Sequence, residues 1–351
     1  MEGAVLKYVP TDFIVREVMV PRMVPRTEAS HELILLRKSG YTTFEAVRLI
    51  ASACAVDAMN VTYGGLKDED AITEQLVALP VDTAINDVPT RIGTGTDQWM
   101  EWSHYGFVRD PLRIGGLVGN VFSIVVRNLE PRFAERVQEQ GKIVSYIVNY
   151  YGMQRFGVAC GPKRTHLVGR ALLDGDWNFA LSSLIELRSP ESESAKQWQG
   201  SARDFFLRAD ARLNSFYLAA HSSFVWNELV RRTAAEAFVQ TGHLVTMEGM
   251  EFLMPSCTAD SVRLLAKMDT LPYTRYSFSP SGIEERISTR MTVVQTSIAV
   301  TDHSSDEAHA GRSRITLDFF LPSGSYATSA IEQVMLYALN NEAAPVRAPD
   351  A

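Results

Sequence analysis

The stretch Val61-Thr62-Tyr63-Gly64-Gly65-Leu66-Lys67-Asp68-Glu69-Asp70-Ala71-Ile72-Thr73-Glu74-Gln75 carries the most chemistry in this sequence of 351 residues. Its first three residues are β-branched or aromatic and read as a short strand. Two glycines end that strand, where backbone can approach a ligand closely. A lysine and an aspartate then stand side by side on the turn. A carboxylate kept ionised there by a cation or by donors can act as nucleophile or base. A plainer reading competes, because Asp68 or Asp70 would also serve as the N-cap of a short helix.

Outward from this stretch, residues 13–18 and 32–37 read as strands between polar boundaries. Thr42-Thr43-Phe44-Glu45 is a capping box, which satisfies two orphan backbone donors at a helix start. The helix it opens places Phe44, Val47, Ile50, Ala51 and Cys54 on one face. Residues 76–79 form another short strand and 120–127 a longer one. A helix is expected over 132–150, with Phe133, Val137, Ile143 and Ile147 toward the core and Gly152 as its stop signal. From 160 to 290 the character changes to helical stretches, the clearest over 213–238, around a polar loop at 189–199. A strand at 315–321, a turn at Pro322-Ser323-Gly324-Ser325 and a helix at 330–339 follow. The last dozen residues, 340–351, are expected to fray. Strands early and late with helices between describe an α+β domain interrupted by an insertion.

The composition is that of a folded chain, with 46% hydrophobic and 21% charged residues. No run of 18 apolar residues occurs, so no membrane-spanning segment is expected, and the N-terminus does not read as a signal peptide. Three cysteines (Cys54, Cys160, Cys257) lie far apart with no Cys-x-x-Cys spacing. That argues against a disulfide framework or a zinc ribbon and for a reducing cytoplasm. Taken alone, the net charge of −7 argues against a polyanionic partner. Its distribution removes the objection. Residues 101–175 hold ten cations against six anions, a net of +4, leaving −11 for the remainder. Phosphate binding depends on a local patch rather than on the global sum, although such a stretch is also the ordinary look of a solvated face.

Gly65-Leu66-Lys67-Asp68-x-x-Ala71-x-Thr73-x-Gln75 resembles the signature of the TruD family of tRNA pseudouridine synthases. Six further elements resemble that family in the same order. They are Asp12-Phe13-x-Val15-x-Glu17; Lys38-Ser39-Gly40-Tyr41-Thr42-Thr43, with Thr42 where Asn is more usual; and Gly119-Asn120-x-Phe122. Next come Asn149-Tyr150-Tyr151-Gly152-x-Gln154-Arg155-Phe156-Gly157, then Ser223-x-x-x-Asn227, then Leu321-Pro322-x-Gly324-Ser325-Tyr326-Ala327-Thr328. Together they span roughly residues 8 to 335. One departure is Leu117-Val118-Gly119-Asn120, since family members often carry lysine at the position of Val118. Its loss removes one potential partner for a phosphate or a carboxylate.

The resemblance implies isomerisation of a uridine in tRNA, typically at position 13, to pseudouridine, without a metal or cofactor. It implies Asp68 as the catalytic carboxylate and Phe13, Asn120, Phe122 and Tyr326 as substrate-binding residues. Lys67, Glu17, Gln154 and Arg155 are supporting residues, with Lys67 placed to keep Asp68 charged and Glu17 to order Lys67 or another cation. The implied architecture is a mixed, largely antiparallel pseudouridine-synthase sheet from 1–157 and 293–345. A mostly helical insertion domain at 158–292 and a flexible tail at 346–351 complete it. The expected partner is tRNA, for a monomeric cytoplasmic chain with no membrane and no metal. Two other readings remain open on the sequence. One is an RNA-binding or tRNA-folding factor that keeps the scaffold with little catalysis. The other is an unrelated metabolic enzyme with no tRNA affinity.

Overall fold

The computed structural model describes residues 3–83, 85, 90–93, 95–157, 161–238, 242–247, 249–279 and 281–339. Cys160 and the expected frayed tail, 340–351, lie outside the described residues. In chain order the elements are β1 (Phe13–Val18), β2 (His31–Ser39), α1 (Thr43–Ala53), β3 (Thr62–Tyr63), β4 (Ile72–Pro80), β5 (Arg91–Ile92), β6 (Trp99–Val108) and β7 (Gly119–Leu129). Then come α2 (Pro131–Gln140), β8 (Lys142–Val148), α3 (Thr165–Asp174), α4 (Trp177–Glu186), α5 (Pro190–Lys196), α6 (Ala202–Arg208) and α7 (Ala211–Ala237). The chain continues through β9 (His243–Met247), β10 (Met250–Met254), α8 (Thr258–Lys267), β11 (Thr270–Ser279) and β12 (Gly282–Met291). It closes with β13 (Val293–Ser305), β14 (Ser313–Pro322) and α9 (Ala327–Leu339).

The fold is α+β. Ten strands make one sheet in the order β5-β6-β2-β4-β1-β7-β14-β13-β8, with β3 paired to β4. The pairings β2–β4, β2–β6, β1–β7, β7–β14 and β13–β14 are antiparallel, whereas β1 and β4 run parallel, with Val15 opposite Thr73. That parallel pair matters most for the site. It sets the start of β4, and the loop feeding it, beside the start of β1.

Two compact units divide the chain. One comprises Met1–Ser145 and Thr296–Gly324, the other Tyr146–Gln295 and Ser325–Ala343. In the first unit, α1 packs Ala46, Val47, Ile50 and Ala51 against Ile34, Leu36, Val77, Leu79, Met100 and Trp102. The Thr42–Glu45 capping box forms as expected. Phe44, expected on the buried face, is instead exposed, and the inward position on the first turn belongs to Thr43. In the second unit, α7 carries Trp226, Val230 and Ala234 into a core with Tyr150, Phe156, Phe252 and Tyr273. Nearer its start, Tyr217 and Leu218 pack with residues of α3, α4 and α6.

Several elements differ from expectation. The helix expected over 132–150 stops at Gln140, and β8 takes over at Lys142. Gly141 lies in the left-handed region at φ +61°, which ends the helix. Ile143 and Ile147 are four apart, a spacing that fits one helical face and also one face of a strand. The polar stretch 189–199 contains the short helix α5, opened by a Ser189–Ser192 capping box. Within 160–290, the hairpins β9–β10 and β11–β12 accompany the helices. Neither Asp68 nor Asp70 caps a helix, because the next element after them is strand β4.

Candidate active site

Between Tyr63 and Ile72 the chain is held by side chains from three other elements. Gln75 Nε2 donates to the Gly65 carbonyl at 3.2 Å. Thr43 Oγ1 donates to Gln75 Oε1 at 3.2 Å and accepts from the Lys67 N–H at 2.9 Å. Lys38, fully buried on β2, donates from Nζ to the carbonyls of Tyr41 at 2.7 Å and Asp68 at 2.9 Å. The Gly40 N–H reaches the Glu69 carbonyl at 3.1 Å. Burial pushes the Lys38 ammonium down to about 8, and Asp68 leads the carboxylates that oppose the shift. The two glycines serve packing within the protein. A Cβ on Gly64 would strike Met19 and sit 3.3 Å from Glu17 Oε1, and one on Gly65 would meet Leu117 at 3.4 Å.

This scaffold presents the Asp68 side chain half exposed, at 50%, with Lys7 Nζ 2.6 Å from its Oδ2. Lys7 is the cation, a residue that sequence reasoning passed over. Its ammonium also lies 4.5 Å from the centre of the Phe13 ring. Lys7 has φ +56°, a strained conformation for a lysine. The segment that imposes it is pinned on both sides. Val5 exchanges backbone hydrogen bonds with Arg127 at 3.0 and 2.9 Å. Tyr8 lies against the Arg127 guanidinium and edge-on to His309.

Arg127 is the buried anchor of that segment. Its Nε and a terminal nitrogen grip both oxygens of Asp12 at 2.7 and 2.9 Å, and its other nitrogen donates to Asp306 at 3.0 Å. Burial alone would raise the Asp306 carboxyl. The N–H groups of Asn128 and Ala308, with His309 and Arg127, outweigh it and hold Asp306 well below the usual carboxylate range. Asp12 of the Asp-Phe element is therefore a structural partner of Arg127, and its effect at the site runs through the position of Lys7.

Lys67 points elsewhere. Its Nζ lies 2.8 Å from Glu17 Oε2, and both side chains are buried, at 6% and 1% exposure. Lys67 thus pairs with Glu17, as one expectation for Glu17 had it, and the cation on the Asp68 carboxylate is Lys7. The β1–β7 register sets Glu17 opposite Asn120 and Val15 opposite Phe122. Phe13, Val15, Glu17, Asn120 and Phe122 therefore share one sheet face by the two-residue period. Phe13 and Phe122 meet edge to face at 6.3 Å, and Phe122 stacks on Phe319 at 5.3 Å. Asn120 Oδ1 is buried with no hydrogen-bond partner among the described residues. An unmet acceptor of this kind is costly unless something supplies a donor. Val118, at the departure from the family pattern, is exposed.

The remaining expected residues lie in the second unit. Asn227 brackets Tyr151, accepting from its N–H at 2.8 Å and donating to its carbonyl at 3.0 Å. Arg155 Nε donates to Ser223 Oγ at 3.1 Å. The Ser223-x-x-x-Asn227 element and the Asn-Tyr-Tyr-Gly element thus fix one another. Tyr326 meets Tyr151 edge-on at 5.5 Å. Arg290 lies 4.1 Å over the Tyr151 ring and donates to Asn149 Oδ1 at 2.9 Å. Gln154 lines a small cavity of about 160 Å³ with Met153, Thr328 and Glu332. Lys7, Arg127 and Arg290 were not singled out as site residues. Only Arg127 lay in a quoted strand, and no local spacing marks any of the three.

The fold is similar to that of a solved structure. A crystal structure from Methanosarcina mazei, named for tRNA pseudouridine synthase D, superposes with a TM-score of 0.59. It has 20% identity, covers 96% of this chain and 95% of its own, and establishes likeness of fold. The family model "tRNA pseudouridine synthase D (TruD)" matches residues 2–211. Among curated proteins, tRNA pseudouridine synthase D of Geobacter metallireducens is 26% identical over 398 residues, covering 95% of each chain. That of Geobacter sulfurreducens is 31% identical over 201 residues, covering 57% of this chain and 46% of its own length. The chain belongs to the TruD family of tRNA pseudouridine synthases.

Proposed function

We propose that this protein isomerises a uridine of tRNA, at position 13, to pseudouridine, with Asp68 as the carboxylate that acts on the nucleoside. The observation that carries the reading is the Lys7–Asp68 pair. A half-exposed carboxylate is held by one cation at 2.6 Å, on a loop fixed by Lys38, Thr43 and Gln75. A carboxylate kept ionised and open to solvent suits attack on a nucleoside carbon or assistance to glycosidic cleavage. In the reaction the N1–C1′ bond breaks, the uracil turns while bound, and C5 bonds to C1′; the C5 proton is given up and N1 takes one, so the product is an isomer of the substrate.

The target base has to leave its stack first, at a cost of a few kcal/mol. Aromatic stacking offsets this by about 1–3 kcal/mol per base. Phe13 and Phe122 form the aromatic floor next to Lys7, and the unmet Asn120 Oδ1 accepts a uracil N–H. Tyr326 is assigned to the base through its match to the Leu-Pro-x-Gly-Ser-Tyr-Ala-Thr element. Gln154 and Arg155 support the fold of their own unit. Lys67 and Glu17 act together as a buried strut that fixes the chain just before Asp68.

The test incubates wild type and Asp68→Asn with bulk unmodified tRNA, mapping pseudouridine and measuring retention. Product from wild type alone, with both proteins retaining tRNA, is the expected result. Retention by both with product from neither would identify an RNA-binding factor, and loss of retention would sink the reading.

A further inference from the structure

In the second unit, α3, α4 and α5 open onto a cleft of about 820 Å³ lined by Lys163, Arg164, Ile185, Glu186, Arg188 and Lys196. Four cations face one carboxylate there. Arg164 and Arg188 are exposed and have no ion-pair partner among the described residues. Lys163 Nζ donates to the Gly157 carbonyl at 3.4 Å, and Lys196 meets the exposed Glu193 at 2.6 Å.

Two details make this clustering unfavourable for the protein alone. Arg164 is the N-cap of α3, its side chain caps nothing, and no acidic residue occupies the first turn. Cations at that end oppose the helix dipole, whose free N–H groups favour an anion. Arg188 holds φ +57° between α4 and α5, a left-handed position where glycine is usual. The cleft is also wide, and Ile185 and Pro162 are the apolar side chains that line it. That is the reverse of a small-molecule pocket, which is mostly apolar with a few convergent polar groups. Exposed, long and separately mounted cations suit a chain of phosphates.

We infer that the cleft between α3, α4 and α5 is a docking site for the phosphate backbone of the tRNA substrate. The inference rests on the reading of the chain as a tRNA-modifying enzyme. The cleft shares no residue with the Asp68 group, so it acts on substrate affinity and leaves the chemical step alone.

The test compares wild type with the triple variant Arg164→Gln/Arg188→Gln/Lys196→Gln on an unmodified tRNA transcript. A charge-keeping variant, Arg164→Lys/Arg188→Lys/Lys196→Arg, serves as control. Affinity is measured across salt concentrations, and pseudouridine formation at saturating tRNA. The slope of log affinity against log salt is expected to fall by roughly 2–3, since each lost phosphate contact removes about 0.7–0.9. Affinity at physiological salt should drop about tenfold or more, with the saturating rate unchanged and the control like wild type. An active wild type with the same affinity and salt slope in the glutamine variant overturns the inference and leaves the enzymatic reading standing. A wild type that neither binds nor modifies tRNA overturns both.

Discussion

Separating Lys67 from Glu17 tests the geometry of the site most directly. At 2.8 Å and an effective dielectric near 20, the two charges attract by about 6 kcal/mol. Desolvation takes several kcal/mol per ion from that, so the pair contributes little net stability while neither charge tolerates isolation. Lys67→Met strands Glu17 at 1% exposure, and Glu17→Leu strands Lys67 at 6%. Each single change should cost about 3–5 kcal/mol and lower the unfolding midpoint of this unit by roughly 10 °C. The double variant should recover to within about 1–2 kcal/mol of wild type, because two apolar groups then fill the same space. The assay is a double-mutant cycle by urea denaturation monitored by circular dichroism. Lys67→Met with Asp68→Asn provides the contrast and should couple much more weakly than Lys67 with Glu17, since the two side chains pair with different partners. Additive costs for Lys67 with Glu17, or strong coupling of Lys67 with Asp68, would refute the pairing and restore Lys67 as the partner of the carboxylate.

Three further outcomes follow from other contacts. Lys7→Met should lower kcat/KM by roughly ten- to thirtyfold, the worth of one charge-assisted hydrogen bond of about 1.5–2 kcal/mol at a half-exposed site. Lys7→Arg should retain most activity in the same pseudouridine assay, and equal activity in Lys7→Met would remove Lys7 from the mechanism. Arg127→Met leaves Asp12 and Asp306 buried without their guanidinium, so a loss of about 3–5 kcal/mol is expected. Early proteolytic cleavage before Phe13 should accompany it, and an uncut N-terminal segment would contradict the anchoring role. His166, stacked on Phe224 at 4.5 Å, is lowered to about 4 by burial, with His221 and Arg164 adding to the shift. Its folded value lies below the unfolded one near 6.5, so its contribution is complete above pH 6.5 and is lost as pH falls toward 4. His166→Leu should flatten that acid limb by roughly 2–3 kcal/mol in urea titrations, allowing for partial exposure. An unchanged limb would place the acid sensitivity elsewhere.

Local signals in the sequence were read correctly where one element decided them. The Thr42 capping box, the strand at Asn120 and the long α7 each depend on neighbours within a few residues. The expected helix over 132–150 failed because Ile143 and Ile147 satisfy both periods. What separates the readings is Gly141, a helix-stop residue, with the β-branched alternation that follows it over 142–148. β6 carries no clear strand signal because its main partner, β2, is remote, and in both β6 and β13 polar residues interrupt the apolar pattern, although β13 pairs with the very next strand. The site shows the same division. Asp68 is proposed from its own motif, whereas Lys7 carries no local signal, since it reaches Asp68 from 61 residues upstream. Charge counted along the chain was only partly informative. Arg127 belongs to the basic stretch 101–175 yet is buried on two aspartates, while Arg188 and Lys196 join the cationic cleft from outside it.

The way the Asp68 loop is held bears on protein engineering. Lys38, Gly40, Thr43 and Gln75 supply its backbone contacts, and Lys7 its countercharge. Of these, only Gln75 belongs to the stretch between Gly65 and Gln75. A peptide copied from that stretch into another scaffold would bring the aspartate without its mould. Transfer of the loop with its geometry would require the parallel β1–β4 pair, the entrance to α1 and the N-terminal segment to move as one piece.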